Sequence, residues 1–341
     1  MSRTEGSDPA DSADPAEPAD SAEPADSADP ADRSDSAEPA DDEIVRGVIE
    51  GRPVRIVAVI STGVAREAAR RHGAGPAAAI ALARGLTAGL LLATLTKDDE
   101  RVTLQVLGDG PLGGLTVDAT AAGTARAYVK HPGVPLASSS AVRASLAAAV
   151  GRNGLVSVLR DVGLGETFSG RTAIATGEID EDVERYLETS EQIASALACD
   201  ATLAPDGTIA FAAGILVQAL PGSDGAARVA AARLLLAGGE FLGALGRGPR
   251  DGEAVVTAVL GGQLGDVRIL DRRPVRFDCP CSHARAGTSL ALLGDAELSA
   301  MILDDGRAEV TCNFCRARYE FDEAALEIIR RETAKPAGPP S

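Results

Sequence analysis

The chain has no tryptophan, and aromatic residues make up only 3% of its 341 positions. A hydrophobic core must therefore be assembled from Ala, Val, Leu and Ile, and an extended aromatic platform for stacking single-stranded bases is excluded. Basic excess is missing as well. The formal net charge is -17, the opposite of what a surface that displaces counterions from phosphates requires, so nucleic acid is not an expected partner. No apolar run is long enough to span a bilayer: Leu86–Leu95, the most apolar segment, is about half the required length, and no membrane association is expected. The N-terminus lacks a basic start followed by an apolar stretch. The expectation is a soluble, cytoplasmic protein. In that reducing compartment five cysteines argue for metal binding or redox sensing rather than a disulfide framework. A P-loop, a dinucleotide fingerprint and a Ser/His/Asp arrangement are all absent, and no enzymatic turnover is expected.

The acidity is concentrated at one end. Residues 1–43 hold 15 Asp or Glu against Arg3 and Arg33, a net of -13, which leaves -4 for the rest. From Glu5 to Asp41 an acidic residue falls at every third position, the period of polyproline II. Self-repulsion and the lack of large apolar groups predict that residues 1–42 are a disordered, solubilising tail. A specific acidic docking arm is the weaker alternative. Residues 333–341 read as a second disordered tail.

Between the tails the pattern predicts an α+β protein. An N-terminal mixed α+β core domain with antiparallel sheet covers 43–222, a helical linker 223–272, and a small C-terminal zinc-binding domain 273–332. Ile44–Glu50 and Val54–Ile60 read as paired strands, Thr62–His72 as a short helix, and Pro76 to about Thr96 as a buried Ala/Leu-rich helix. A β-meander follows over Arg101–Leu107, Leu115–Asp118 and Ala125–Lys130. Strands near Leu155–Arg160 and Glu166–Thr176 precede a helix around Asp180–Glu188. A hairpin of Ile193–Leu203 and Thr208–Gln218 turns on Pro205-Asp206-Gly207. Gly225–Gly248 is helical but interrupted by Gly238, Gly239, Gly243, Gly246 and Gly248, each costing about 1 kcal/mol relative to Ala. The last region is expected to hold a short strand at Val275–Asp278, helices around Thr288–Leu293 and Asp295–Leu303, a hairpin of Arg307–Thr311 and Ala317–Phe321, and a final helix Glu323–Glu332 capped by Asp322.

The chemistry lies in two close cysteine pairs, Cys279-Pro280-Cys281 and Cys312-Asn313-Phe314-Cys315, 30 residues apart. Four thiolates about 2.3 Å from Zn²⁺ complete a closed tetrahedral shell, which is structural rather than hydrolytic because no position is left for an activated water. Cys279, Cys281, Cys312 and Cys315 are therefore the expected ligands of one zinc ion per chain in the reduced form. Zinc ligation places the sulfurs about 3.8 Å apart, within easy reach of disulfide formation once the metal is lost. A Cys279–Cys281 ring would be tight, and strained disulfides are easily reduced, which suits a reversible switch better than a permanent staple. A plain structural zinc ribbon is the competing reading. Arg276, His283, Arg285, Arg316 and Arg318 flank the cluster and are expected to offset its charge. His283 could substitute as a ligand, but four cysteines already fill the shell. Cys199, alone in an apolar hairpin strand, reads as a buried core cysteine.

With these features the sequence resembles the redox-regulated heat-shock chaperones, the 33 kDa chaperonin family, from Ile44 to Arg331. The resemblance rests on the C-x-C and C-x-x-C pairs, on Gly108-Asp109-Gly110-Pro111 after a strand, on Ser190-Glu191-Gln192 entering the hairpin, and on Gly214–Gln218 leading to Leu220-Pro221. It implies a chaperone that holds unfolding client proteins and prevents their aggregation under oxidative stress. Reduced, zinc-bound protein would be idle. Oxidation would expel zinc, form Cys279–Cys281 and Cys312–Cys315 disulfides, unfold the zinc domain and linker, and favour a homodimer. The client surface is expected on aliphatic patches such as Val229, Leu234, Leu235 and Leu236. Two rivals stand beside this reading: a thiol–disulfide oxidoreductase using Cys312 and Cys315, and a zinc-ribbon adaptor.

Overall fold

A computed structural model describes residues 42–333 except 98–99, 137–142, 162–166, 221–224, 238–240, 242–250 and 261–262. The two expected tails lie outside the described residues, apart from Asp42 and Thr333.

The first sheet is entirely antiparallel. It contains β1 (Glu43–Ile49), β2 (Val54–Ile60), β8 (Ser195–Leu203), β9 (Ile209–Ala219) and β10 (Val267–Pro274), in the order β10-β1-β2-β9-β8. β2 is buried at every position but Arg55, as its near-continuous apolar run demands of a strand covered on both faces. The β8–β9 turn closes as the sequence predicts, with the Gly207 N–H donating to the Ala204 carbonyl at 2.9 Å.

The second sheet carries the meander. Its members are β3 (Arg101–Gly108), β4 (Leu115–Thr120), β5 (Thr124–Val129), β6 (Gly154–Asp161), β7 (Thr167–Ala173) and the two-residue β11 (Arg276–Phe277), in the order β11-β5-β4-β3-β6-β7. β11 alone runs parallel to its neighbour, Arg276 opposite Thr124 and Phe277 opposite Ala125.

Helix α1 (Thr62–His72) and helix α2 (Pro76–Ala93) follow β2. α2 packs against β8 and β9 on one side and β4 and β5 on the other, so all of its residues after Pro76 are buried. The only unbroken helix among the described residues that is long and apolar enough to cross a membrane is this one, and 94% of it is inside the protein. Gly85 and Gly89 permit the close approach to β4: a Cβ on them would stand 2.5 Å from Leu115 Cδ2 and 2.7 Å from Val117 Cγ1. The same helix buries a charge. Arg84 is fully buried and donates to Asp200 Oδ1 (2.6 and 2.9 Å), Glu178 Oε2 (2.8 Å) and the Ala144 carbonyl (2.7 Å). Short α3 (Ala147–Val150) and α4 (Ile179–Thr189) complete the core. Asp109, between the two glycines of the Gly-Asp-Gly-Pro stretch, accepts from the Arg152 and Asn153 N–H groups and from Asn153 Nδ2. That stretch is thus a structural turn locked onto the start of β6.

Three expectations need correction. Asp42, assigned to the tail, belongs to the folded unit: its carboxylate accepts from the Gly63 (2.9 Å) and Val64 (2.7 Å) N–H groups in the first turn of α1. The segment 223–272 is not helical throughout. It holds α5 (Gly225–Ala237) and α6 (Gly252–Leu260), but Val267–Pro274 forms β10, because its alternating half-buried and exposed residues can satisfy the edge of β1. Finally, of the four residues expected to form an aliphatic patch, only Leu234 is openly exposed (76%). Val229 is 1% exposed, and Leu235 and Leu236 are half-buried against the first sheet.

Together α5 and α6 cover one apolar face of that sheet. Val229, Ala232, Val255, Val256, Val259 and Leu260 pack with Ile49, Val54, Ile56, Ile60, Ile215 and Val217 in one cluster. The C-terminal region adds α7 (His283–Ala291), α8 (Asp295–Asp304), the hairpin β12 (Arg307–Thr311) with β13 (Arg318–Asp322), and α9 (Glu323–Thr333). Asp322 Oδ1 accepts from the Ala325 N–H at 2.8 Å, the cap expected from the sequence. Only Ala286, Leu290, Leu298, Phe321 and Leu326 are buried in its own core, too few to stabilise a separate unit without a further constraint.

Candidate metal centre

The two cysteine pairs come from different local structures. The C-x-C pair sits between β11 and α7. The Asp278 N–H donates to the Ala125 carbonyl at 3.1 Å, tying the segment to β5. Ser282 then caps α7, its hydroxyl accepting from the Arg285 N–H at 3.2 Å. The C-x-x-C pair forms the tip of the β12–β13 hairpin, closed by Cys312 N–H to Ala317 O (2.8 Å) and Arg316 N–H to Cys312 O (3.0 Å). It is not at a helix N-terminus, where a reactive dithiol gains its lowered pKa.

All four sulfurs lie within 4.8 Å of one another. Cys279 and Cys312 are 3.7 Å apart and Cys281 and Cys315 3.1 Å. A tetrahedral shell of thiolates on zinc requires separations of about 3.8 Å, so the donor set fits. Cys199 stands apart, 1% exposed in β8, with burial pushing its thiol well above the ordinary range. The core-cysteine expectation holds. His283 is not in the cluster; its Nε2 meets the Glu320 carbonyl at 3.0 Å.

Burial disfavours the thiolates of Cys279, Cys312 and Cys315, but the local donors differ. For Cys312, backbone N–H groups of Cys315 and Phe314 outweigh burial and bring the thiol below its usual value. Cys279 remains raised by burial despite a hydrogen bond from Arg126, and Cys315 is raised further, chiefly by burial.

The cation hydrogen-bonded to the cluster is not one of those flanking the cysteines in sequence. Among the described residues the cation hydrogen-bonded to a cluster sulfur is Arg126 on β5, whose guanidinium reaches Cys279 Sγ at 3.3 Å while also paired with Asp118 at 2.6 Å. Arg285 instead holds the Pro280 carbonyl (2.9 Å) and Arg318 faces Glu309 (3.7 Å). Tyr319 donates its hydroxyl to Cys281 Sγ at 3.1 Å.

The hairpin tip is also clasped by the core. Phe314 receives the Arg126 guanidinium over its ring (3.9 Å) and the edge of Tyr128 (5.0 Å). The Phe314 carbonyl is 3.0 Å from His72 Nε2, and Arg71 donates to the Cys315 carbonyl at 3.1 Å. Arg71, His72, Arg126 and Tyr128 escaped sequence reasoning because at least 150 residues separate them from the cysteines. No local pattern marks them.

Comparison with known proteins places this architecture. Residues 42–322 match the family model for Hsp33 protein. The chain is 36% identical over 294 residues to the 33 kDa chaperonin of Bacillus subtilis (strain 168), covering 86% of this chain and 100% of that one. It is 41% identical over 292 residues to the 33 kDa chaperonin of Gloeobacter violaceus, covering 84% and 95%. The crystal structure of the 33 kDa chaperonin from Thermotoga maritima matches with a TM-score of 0.75 at 28% identity, over 86% of this chain and 98% of that chain. The two-sheet core and the C-terminal cysteine cluster are therefore those of a chaperone, and the chain belongs to the Hsp33 family.

Proposed function

We propose that the protein is a redox-activated holdase whose Cys279, Cys281, Cys312 and Cys315 bind one zinc ion in the reduced state. The observation that carries this is the arrangement of cover and lock. The segment 225–274 lies over the apolar face of the first sheet and along the edge of β1. It leads directly into β11 and the cysteine cluster, which is clasped by β5 and α1. When bound, zinc supplies folding free energy to the small C-terminal unit and keeps the sulfurs as thiolates.

Peroxide would oxidise the cysteines in pairs. Each disulfide forms as two thiols give up two protons and two electrons to one peroxide, which leaves as two waters. Cys279–Cys281 and Cys312–Cys315 are the proposed pairs. With all four sulfurs within 4.8 Å, chain connectivity rather than proximity selects between pairings. Once oxidised, the cysteines no longer bridge hairpin and C-x-C segment, so the C-terminal unit loses most of its stability. β11 and β10 then lose their anchor. Release of α5 and α6 would uncover Ile49, Val54, Ile56, Ile60, Ile215 and Val217, a surface suited to the apolar segments of unfolding clients and to self-association as a homodimer. The chaperone works without catalytic turnover in the reducing cytoplasm, with neither nucleic acid nor membrane as a partner.

The test follows aggregation of a thermally unfolding client by light scattering, with zinc release recorded alongside. Reduced, zinc-loaded protein should be idle. Peroxide with mild heat should release one zinc per chain and switch on protection. Equal protection before and after oxidation would sink the proposal.

A further inference from the structure

A cavity of about 540 Å³ lies where the core meets the hairpin tip. Its walls are His72 from α1, Thr116, Tyr128 and Lys130 from the second sheet and its following loop, and Asn313 and Arg316 from the tip. The volume falls in the range of small-molecule sites, about 300–1,000 Å³. Every ionisable wall residue is basic or a tyrosine; the lining contains no carboxylate. Lys130 and Arg316 take no acidic partner among the described residues. Two cations facing one cavity without a counter-charge repel each other, and an anion between them would relieve that.

The backbone at Arg316 makes the same point independently. Arg316 has φ 63°, one of only two non-glycine residues with positive φ among those described. Closing the tip after Cys315 requires this left-handed conformation, which Gly adopts freely and an L side chain adopts only at a cost. A strained residue held in place by its surroundings points to a use for its side chain. Arg316 makes no hydrogen bond to a cluster sulfur among the described residues, the contact with Cys279 Sγ coming from Arg126.

We propose that this cavity binds a polyvalent phosphate, with Lys130 and Arg316 as the charged clamps and Asn313, Thr116 and Tyr128 as neutral donors. Because Arg316 and Asn313 belong to the cysteine hairpin and the other groups to the core, the bound anion bridges the two. It stabilises the docked state by an amount that grows with the logarithm of its concentration above Kd. Given the redox-switch reading above, on which this consequence rests, phosphate would raise the oxidant threshold for activation.

The experiment titrates full-length, reduced, zinc-loaded protein calorimetrically with inorganic pyrophosphate and, in a second arm, with adenosine triphosphate, using sulfate at matched ionic strength as control. Pyrophosphate should bind more tightly than sulfate. A nucleotide that binds more tightly than pyrophosphate identifies the source as nucleotide; equal affinity identifies free polyphosphate. Arg316→Gly should weaken binding at least tenfold while retaining zinc, since Gly relieves the backbone strain rather than adding to it. Lys130→Gln should act likewise, and Arg316→Lys should restore part of the affinity. Absence of binding, or equal binding by wild type and Arg316→Gly, overturns the site. Saturating pyrophosphate should slow peroxide-driven zinc release severalfold in wild type and not in Arg316→Gly; equal slowing or none overturns the coupling. Binding is read on reduced protein, so a failure of oxidation to activate protection would remove the holdase reading and leave the anion site standing.

Discussion

Arg126 on β5 and Cys279, 153 residues later, are joined by a guanidinium–sulfur contact of 3.3 Å. The same guanidinium is paired with Asp118 and stacked over Phe314. One core side chain therefore touches both cysteine segments, the C-x-C pair through sulfur and the C-x-x-C pair through the ring between its cysteines.

Arg126→Ala should weaken this clasp without removing a metal ligand. Zinc release under peroxide, followed with a chromophoric chelator, should speed up about tenfold, the worth of one charge-assisted hydrogen bond. The reduced variant should still bind one zinc. An unchanged release rate would show that the contact does not restrain the switch.

The disulfide pattern is open to direct mapping. Trypsin cleavage after Arg276 and Arg285 isolates 277–285, with Cys279 and Cys281, and cleavage after Arg307 and Arg316 isolates 308–316, with Cys312 and Cys315. Oxidised protein should yield both peptides separately, each lighter by two hydrogens. A cross-linked pair of these peptides would rule out the adjacent pairing.

Arg84→Met removes the fully buried cation of this network and leaves Asp200 with Arg143, and Glu178 with Ser145 and the Leu146 N–H. Breaking one side of a buried ion pair costs about 3–5 kcal/mol. The melting temperature of reduced protein should fall by about 10 °C, with zinc stoichiometry intact. A shift of only a degree or two would mean the network relaxes.

Arg233 fastens α5 to the core through Glu184 Oε1 at 2.7 Å, the Ser195 carbonyl at 2.6 Å, and Glu188. Its side chain is partly exposed, so solvent screening limits the contribution to about 1 kcal/mol. Arg233→Ala should raise amide hydrogen exchange across 225–237 roughly fivefold, with α1 and α2 unaffected. Uniform acceleration everywhere would instead report global destabilisation.

Burial pushes the Asp42 carboxyl from 3.8 up to about 6, against the pull of the Gly63 and Val64 amides and the Arg66 charge. Folded protein thus keeps a proton that the unfolded chain has released between those values. The associated stability is complete below 3.8 and is lost as pH rises through 6, at most about 3 kcal/mol. Asp42→Asn has no such proton to lose. The melting temperature of wild type minus that of the variant should therefore fall between about pH 4 and pH 7. A flat difference would show that the amide hydrogen bonds keep the carboxylate ionised.

Much of the fold was legible because local periodicity and turn chemistry are local properties. The apolar run of β2, the Thr62–His72 and Pro76–Ala93 helices, the turn at Asp206-Gly207 and the Asp322 cap are all encoded within a few residues. β10 was misread because its partner, β1, lies more than 200 residues away. Its polar alternation means little until an edge needs covering. Asp42 was misplaced for a similar reason: it directly follows the acidic repeat in sequence but meets the amides of α1 in space.

The sequence by itself marked the candidate metal site, since four cysteines at those spacings form a thiolate donor set whatever surrounds them. Tertiary structure alone decided what the cluster is attached to. The clasp by Arg71, His72, Arg126 and Tyr128, the burial of Val229 of the linker against the first sheet, and the cation-lined cavity at Arg316 all join residues remote in sequence. Long-range packing and electrostatics leave no periodic signature in a chain, so these contacts appear only once the chain is folded.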